Sequence, residues 1–259
     1  MKVCFYQLIQ LTSIYILIPM YSNEFENIVQ FRRSNRKFDP EVEVPELVIR
    51  KSLARAVLSP NSSNMQLWEF HWLRSEDLKK KFIPLCMNQQ AAKTAKEMVV
   101  FVTRHDKWKE RAKWNLDRIK ENIKSEPTPV QQKAIKYYGV IMPLLYRQDP
   151  LGILNLGKRL MSFFIGLRRP FFRSGGKAQQ RIMVHKSCAL AAQTFMLSIA
   201  AEGFHTCPME GFDELRVKKA LGLPRRAEIN MIIAIGKGTE AGIWGPRFRV
   251  PDEEVMLER

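Results

Sequence analysis

The sequence has few of the residues that build metal centres or disulfide frameworks. Its four cysteines show no C-x-x-C spacing, which favours buried thiols in a reducing, cytoplasmic compartment over disulfides. The four histidines show no ligand spacing either, so we expect no metal site. No internal repeat or low-complexity tract is present.

Acidic residues are missing from one long stretch of the chain. No Asp or Glu occurs from Pro150 to Ala201, while eight Lys or Arg residues lie between Lys158 and Lys186. The whole chain has a formal net charge of +16. Such a charge permits nucleic acid, an anionic membrane or an anionic cofactor as partner, but does not determine the fold.

The N-terminus is apolar but does not have the pattern of a cleaved signal peptide. Val3 to Met20 follows Lys2 without an A-x-A-like cleavage site. As a membrane helix this segment is borderline in length and is interrupted by polar residues. We interpret residues 1–22 as an extension that is either a membrane anchor or dispensable, with translation starting at Met20 in the second case.

Length and composition are typical of a globular domain. Apolar residues make up 46% and charged residues 26% of 259 residues, enough for one large core. We expect one domain over residues 23–259, with a lid insertion at about 107–180. Membrane association through 1–20 or 150–173 stays open, and a nucleic-acid partner is not expected.

Helical and strand patterns alternate along this domain and predict an α+β or α/β layered fold. The first helix is predicted after caps at Ser22 and Asn23, and the second begins at Pro45, with Leu47, Ile49, Leu53, Ala56 and Val57 near its buried side. Three more are predicted over 107–124, from His185 to Ala201 before Gly203, and from Asp213 to Leu221. Strands are predicted around W-E-F-H-W-L, over Met98–Thr103 and over Ile229–Gly236.

The insertion has a looser pattern. Four prolines lie within 127–150, and the following stretch interleaves aromatic residues with cations. Such a segment is compatible with a membrane-surface element, with a lid over an anionic cofactor, or with an ordinary insertion that packs its apolar residues on the core.

Two basic runs at opposite ends of the chain predict a phosphate clamp. Arg247 and Arg249 are two residues apart in G-P-R-F-R-V-P, and side chains at this spacing in an extended segment point to one side. Arg32, in F-R-R-S-N-R-K-F, would supply a third guanidinium. Arginine suits a phosphate ester because it offers several donors to one anion.

Four motifs in order make the chain resemble the FMN-dependent nitroreductase family. They are R-R-S-N-R-K-F, S-P-N-S-S-N-M-Q-L-W, T-C-P-M-E-G-F-D and G-P-R-F-R-V-P-D-E-E-V, and the resemblance extends from about Glu24 to Val255. It implies an α+β fold with a central mixed or antiparallel sheet wrapped by helices. It also implies an intertwined homodimer with two FMN sites at its interface, each built from both subunits.

The resemblance also implies the cofactor contacts. The FMN phosphate would be held by Arg32, Arg247 and Arg249, and the phosphate, ribityl chain and ring would be contacted by Arg33, Ser34 and Arg36. The ring would be lined from the partner subunit by Pro60, Asn61, Ser62 and Asn64. Here Asn61 stands where the family has serine, and Leu67 where it has proline. The pyrimidine edge would be near Asn88, and flavin N5 near the backbone of Pro208, Met209, Glu210 and Gly211.

The activity implied is ping-pong oxidation of NADH or NADPH with transfer of two electrons to a small-molecule acceptor, a nitroaromatic or a quinone. No catalytic side chain is assigned, because the flavin carries the chemistry. Two alternatives stay open at this point. One is a basic membrane-surface or nucleic-acid-binding protein, and the other is a flavoprotein of this fold with another reaction or no NAD(P)H turnover.

Overall fold

The computed structural model of the protein describes residues 21–147, 152–172 and 176–259. The proposals made for residues 1–20, an anchor or a dispensable extension, lie outside this part of the chain. Cys4 lies outside it as well.

A four-stranded sheet forms the centre of the described chain. Its strands are β1 (Trp68–Trp72), β2 (Glu97–Thr103), β3 (His205–Met209) and β4 (Glu228–Gly236). The order is β1-β2-β4-β3, and each neighbouring pair is antiparallel. The α+β class with an antiparallel sheet is therefore confirmed.

Helices surround this sheet. They are α1 (Ser22–Phe31), α2 (Glu46–Val57), α3 (Glu76–Leu85), α4 (Gln90–Thr94), α5 (Trp108–Glu121), α6 (Pro129–Lys136), α7 (Met142–Tyr146), α8 (Ile153–Arg168), α9 (Lys177–Ala201), α10 (Glu214–Ala220) and α11 (Asp252–Val255). A π-helical segment, Tyr137–Ile141, joins α6 to α7. We keep the name lid for the predicted insertion at about 107–180, of which the structure describes residues 107–147, 152–172 and 176–180.

Both faces of the sheet are buried, which explains the continuous apolar run of β2. Successive side chains of a strand point to opposite faces. Val99 and Phe101 pack with α2 and α9 on one face, whereas Val100 and Val102 pack with α3 and α10 on the other. Phe101 also contacts Phe195 of α9, with ring centroids 5.4 Å apart.

The longest helix begins earlier than the sequence predicted. Helix α9 starts at Lys177, after Gly176 with a φ of 67°, instead of at His185. Most residues of its first two turns are exposed or half-buried. They carry no apolar periodicity, and therefore no pattern from which the helix could have been predicted.

Several details of the predicted helices were wrong. Ser22 and Asn23 lie inside α1, whose N-cap is Tyr21. In α2, Leu47 and Val57 are exposed, and the buried side includes Val48. Residues 129–146 are helical despite Pro129 and Pro143, and Pro129 occupies the first turn of α6, where no backbone N–H is needed.

Within the described residues, α9 alone is long and apolar enough to cross a membrane, judged by length and composition. Half of its most apolar stretch is buried inside the protein. Its small residues pack against α2 and the sheet, as in a core helix.

Candidate functional site

The two basic runs of the predicted arginine clamp meet at the end of α1. Arg247 donates through Nη2 to the carbonyl oxygens of Gln30 (3.0 Å) and Arg32 (2.8 Å), and through Nη1 to that of Val29 (3.4 Å). These carbonyls lie at or just past the C-terminus of α1, where a cation is favourable. This contact joins the C-terminal run to the N-terminal run across more than two hundred residues of sequence.

The clamp concentrates positive charge around one buried donor. Burial lowers the pKa of Arg32, and the positive charges of Arg247 and Arg249 lower it further. The buried Nε of Arg32 has no hydrogen-bond partner. An unpaired buried donor among like charges is unfavourable for the protein alone. A dianionic phosphate would supply a hydrogen-bond acceptor for this Nε and negative charge to balance the arginines.

The segment that carries Arg32, residues 32–38, is held by a buried asparagine. Asn35 is 1% exposed; its Nδ2 donates to the Thr239 carbonyl at 2.7 Å, and its Oδ1 accepts from the Lys37 amide at 3.1 Å. Its backbone N–H donates to the Thr206 carbonyl. The sequence analysis missed this positioning role, although Asn35 lies within the R-R-S-N-R-K-F motif.

The other predicted contacts of this segment are also placed beside β3. Ser34 forms a parallel bridge with Thr206. Arg33 donates to the Gly245 carbonyl at 2.9 Å, and the Arg36 guanidinium lies 4.2 Å from the centroid of the Trp244 ring. Residues 32–36 therefore lie between β3 and the chain that follows β4.

A histidine supports this chain in its neutral form. The Gly238 amide donates to Nδ1 of His205 at 3.1 Å, so Nδ1 must be unprotonated. Burial lowers the pKa of His205, and the positive charge of Lys237 lowers it further. The ring also packs on Phe31 of α1, with centroids 4.5 Å apart.

The predicted N5 loop begins later than expected. Pro208 and Met209 belong to β3, and the Met209 side chain is buried in the core, so the loop starts at Glu210. Gly211 accepts a 2.7 Å hydrogen bond from Gln89, the neighbour of Asn88. The loop and the Asn88 turn are thus brought together, and Gln89 is a contact that the sequence analysis did not identify.

The segment from Pro60 to Asn64 lies apart from the arginine clamp, against α9. The Ser62 amide donates to the Ser187 hydroxyl of α9 at 3.2 Å. Ser187 lies roughly 21 Å along α9 from Ala201, the end that leads into β3, at 1.5 Å per residue. Within one chain the predicted residues therefore form two separate groups.

The lid is attached to this second group by hydrogen bonds. Asn115 of α5 is 5% exposed; its Oδ1 accepts from Asn64 Nδ2 at 3.0 Å, and its Nδ2 donates to the Asn64 carbonyl at 2.9 Å. Ser63 pairs with Tyr137 and Tyr138 of the π-helical segment. Lone polar residues in a charged insertion gave no sequence signal for these contacts.

Replacing Asn115 by alanine is expected to lower the free energy of unfolding by about 1–2 kcal/mol, because the buried Asn115 side chain loses its two hydrogen bonds to Asn64. Asn122→Ala is the matched control, since Asn122 is exposed and bonds only to its own helix. Urea denaturation of both variants measures the difference. Equal stability would show that the lid is not held by this pair.

Backbone strain is concentrated in the predicted cofactor segments. The non-glycine residues with positive φ in the described chain are Ser63, Asn64, Gln66, Met87 and Asn88. Left-handed backbone is costly for such residues and is retained where the surroundings enforce it, often at functional sites. All five lie in or beside segments predicted to contact the cofactor.

A large cleft is lined in part by the lid. It has a volume of about 1740 Å³ and is bounded by α5, α7, the start of α9 and the loop before β4. Among the described residues that line it, none belongs to the predicted FMN contacts. The lining is rich in cations, which are Lys109, Lys113, Arg147, Lys177, Arg181, Arg225 and Arg226.

Comparison with known proteins identifies the family. The sequence model of the Nitroreductase family matches residues 29–237 of this chain. The chain belongs to this family. Protein DrgA of Synechocystis sp. is 28% identical over 217 residues, covering 83% of this chain and 84% of DrgA. An NADH dehydrogenase of Thermus thermophilus is 29% identical over 231 residues, covering 88% of this chain and 92% of that protein.

The fold of this nitroreductase-family chain is also found in solved structures. One is a putative nitroreductase from Exiguobacterium sibiricum, determined in complex with FMN, which superposes with a TM-score of 0.60 at 21% sequence identity. The superposition covers 91% of this chain and 97% of the chain from that organism. The predicted family and fold are therefore confirmed. Arg247 and Arg249 lie beyond the matched residues, so their role depends on the clamp geometry.

Proposed function

We propose that this nitroreductase-family enzyme is an FMN-dependent NAD(P)H oxidoreductase that reduces nitroaromatic or quinone-type acceptors. The observation that supports this most strongly is the clamp of Arg32, Arg247 and Arg249, in which the buried Nε of Arg32 has no hydrogen-bond partner. FMN fits this clamp because its phosphate supplies the missing negative charge and acceptor oxygens. NAD(P)H is the electron donor.

The remaining predicted residues would hold the rest of the cofactor. Arg33, Ser34 and Arg36 extend from the clamp along β3 toward Glu210 and Gly211. The turn at Asn88 adjoins this loop through Gln89. When bound, FMN supplies hydride chemistry that no protein side chain can perform. The chain binds the phosphate, orients the ring and brings positive charge close to it, which favours the anionic reduced form.

We propose that the site is completed by a second copy of the chain. The segment at Pro60–Asn64 is separated from the clamp within one chain but would line the flavin ring of the partner. The C-terminal run leaves large apolar residues uncovered, with Phe248 81% exposed and Leu257 64% exposed. Exposed apolar segments of this kind are typical of intertwined interfaces.

We propose that the lid determines the choice of acceptor. It is bonded to Ser63 and Asn64, the segment that would cover the partner's flavin ring, and it forms one wall of the large cleft. NAD(P)H and the acceptor would occupy one position in turn, which gives ping-pong kinetics.

An anaerobic visible spectrum of the full chain tests the proposal. We expect a flavin spectrum that bleaches on addition of NADH or NADPH and returns on addition of a quinone or a nitroaromatic. Initial rates should give parallel double-reciprocal lines. A colourless protein that cannot be reconstituted with FMN would contradict the clamp. A yellow protein that neither nucleotide reduces would contradict the donor assignment, and a sedimentation mass of one 30.2 kDa chain would contradict the shared site.

A further inference from the structure

Helix α8 is oriented with its apolar side toward solvent. Helical spacing places Leu156, Leu160, Phe163, Phe164 and Leu167 within an arc of about 100°. All five are exposed, from 50% for Phe163 to 65% for Leu167. A surface helix normally buries such a stripe against the core.

The polar side of α8 packs on the protein instead. Ser162 is 4% exposed, and Lys158 donates to the carbonyl oxygens of Leu145 (3.1 Å) and Arg147 (2.6 Å). A Cβ placed on Gly176, at the start of α9, would lie 3.8 Å from Asn155 and from Arg159. The protein therefore holds the helix with its apolar stripe pointing away.

The apolar surface continues beyond the helix and is flanked by cations. Phe171 and Phe172 are both exposed. Arg168 ends α8, Arg169 follows it, and the Arg169 guanidinium lies 6.0 Å from the centroid of the Phe171 ring. No acidic residue occurs in this part of the sequence, from Pro150 to Ala201.

We propose that this surface, α8 with residues 169–172, docks on anionic phospholipid membranes. Leucine and phenylalanine side chains would enter the boundary between headgroups and acyl chains, and the arginines would contact lipid phosphates. A bilayer complements both properties of the surface, its apolarity and its charge. A second copy pairing through the same surface would offer no acidic residue to these arginines, since none occurs from Pro150 to Ala201, so self-association leaves their charge uncompensated.

Flotation of the full-length FMN-bound protein with vesicles tests the proposal. One set of vesicles contains two parts phosphatidylcholine to one part phosphatidylglycerol, and the other contains phosphatidylcholine alone. We expect binding to the anionic vesicles that weakens as salt is raised, since the arginine contribution is screened. The inference is independent of the flavin reaction, because binding is read by flotation.

Two double variants separate the apolar from the charged contribution. Phe163→Gln/Phe164→Gln should lower the partition coefficient at least tenfold, and Leu215→Gln, at an apolar position that is 79% exposed on α10, should leave it unchanged. Arg168→Gln/Arg169→Gln should weaken binding to anionic vesicles by roughly fivefold per arginine. Its matched control is Arg225→Gln/Arg226→Gln, an adjacent arginine pair outside the surface.

Three results would overturn the proposal. The first is a wild-type protein that does not float with anionic vesicles. The second is binding that the α8 variants do not alter, which would assign it to the N-terminal apolar residues of the full chain. The third is a change in sedimentation mass with the phenylalanine variant, which would make the surface a subunit contact. Unchanged flavin content and melting temperature in each variant verify that it is folded.

Discussion

Replacing Arg32 by methionine is expected to weaken FMN binding on the order of a hundredfold without lowering the stability of the FMN-free protein. The affinity falls because a guanidinium with a buried, unpaired Nε loses its charge-assisted bonds to the phosphate, a change of roughly 2–5 kcal/mol. The FMN-free protein keeps its stability because the substitution relieves repulsion from Arg247 and Arg249. Fluorescence titration with FMN and thermal unfolding without FMN measure the two quantities separately.

Arg247→Met should behave differently. Its guanidinium also donates to three backbone carbonyls around the end of α1, so this variant should lose both FMN affinity and stability. Arg50→Met is the control, because Arg50 forms an exposed ion pair with Glu46, and such pairs contribute little. If Arg32→Met bound FMN as tightly as the wild type, the phosphate would not lie at this clamp.

Replacing Gly242 by alanine is expected to destabilise the protein by about 3 kcal/mol and to lower its FMN content. The new Cβ would overlap the side-chain oxygen of Asn35 and would lie 2.6 Å from the Lys37 amide. Since backbone atoms cannot move aside as a side chain can, Asn35 and the 32–38 segment must shift. Urea unfolding and the flavin absorbance per chain measure both effects.

Gly157→Ala is the matched control for this substitution. Gly157 lies within α8, and apart from the adjoining residues and backbone of its own helix no atom lies within 4 Å of the position of its added Cβ. Alanine should therefore raise stability by about 0.5–1 kcal/mol through its better helix propensity. A Gly242→Ala variant that unfolds like the wild type would show that the close packing around Asn35 is not required.

The sequence was most informative where a local pattern and the structure express the same physical constraint. The β2 run from Met98 to Thr103 is apolar at almost every position, because both faces of the sheet are covered. The two basic runs predicted an arginine clamp from their charge and from the spacing of Arg247 and Arg249, and Arg247 does contact the segment that carries Arg32. The family motifs predicted the fold, which the comparisons confirmed.

The sequence was least informative where residues are ordered by contacts far along the chain. In the sequence Asn35 and Asn115 look like any other polar residues. Their positioning roles become visible only when the fold brings Asn35 to Thr239 and Asn115 to Asn64. The first turns of α9 are exposed and carry no periodicity, so their helical state depends on continuity with the buried turns. The four prolines within 127–150 gave this segment a looser pattern, yet Pro129 occupies a permitted position in the first turn of α6.

The sequence by itself determined the apolar strand, the basic runs at either end and the absence of acidic residues around α8, because these are properties of composition and local order. Only the tertiary structure decided that Arg247 reaches the end of α1, that residues 60–64 lie apart from the clamp, and that α8 faces outward. Each of these depends on which of several possible surfaces the chain brings together. That choice is made by the packing of the whole domain and not by any short segment.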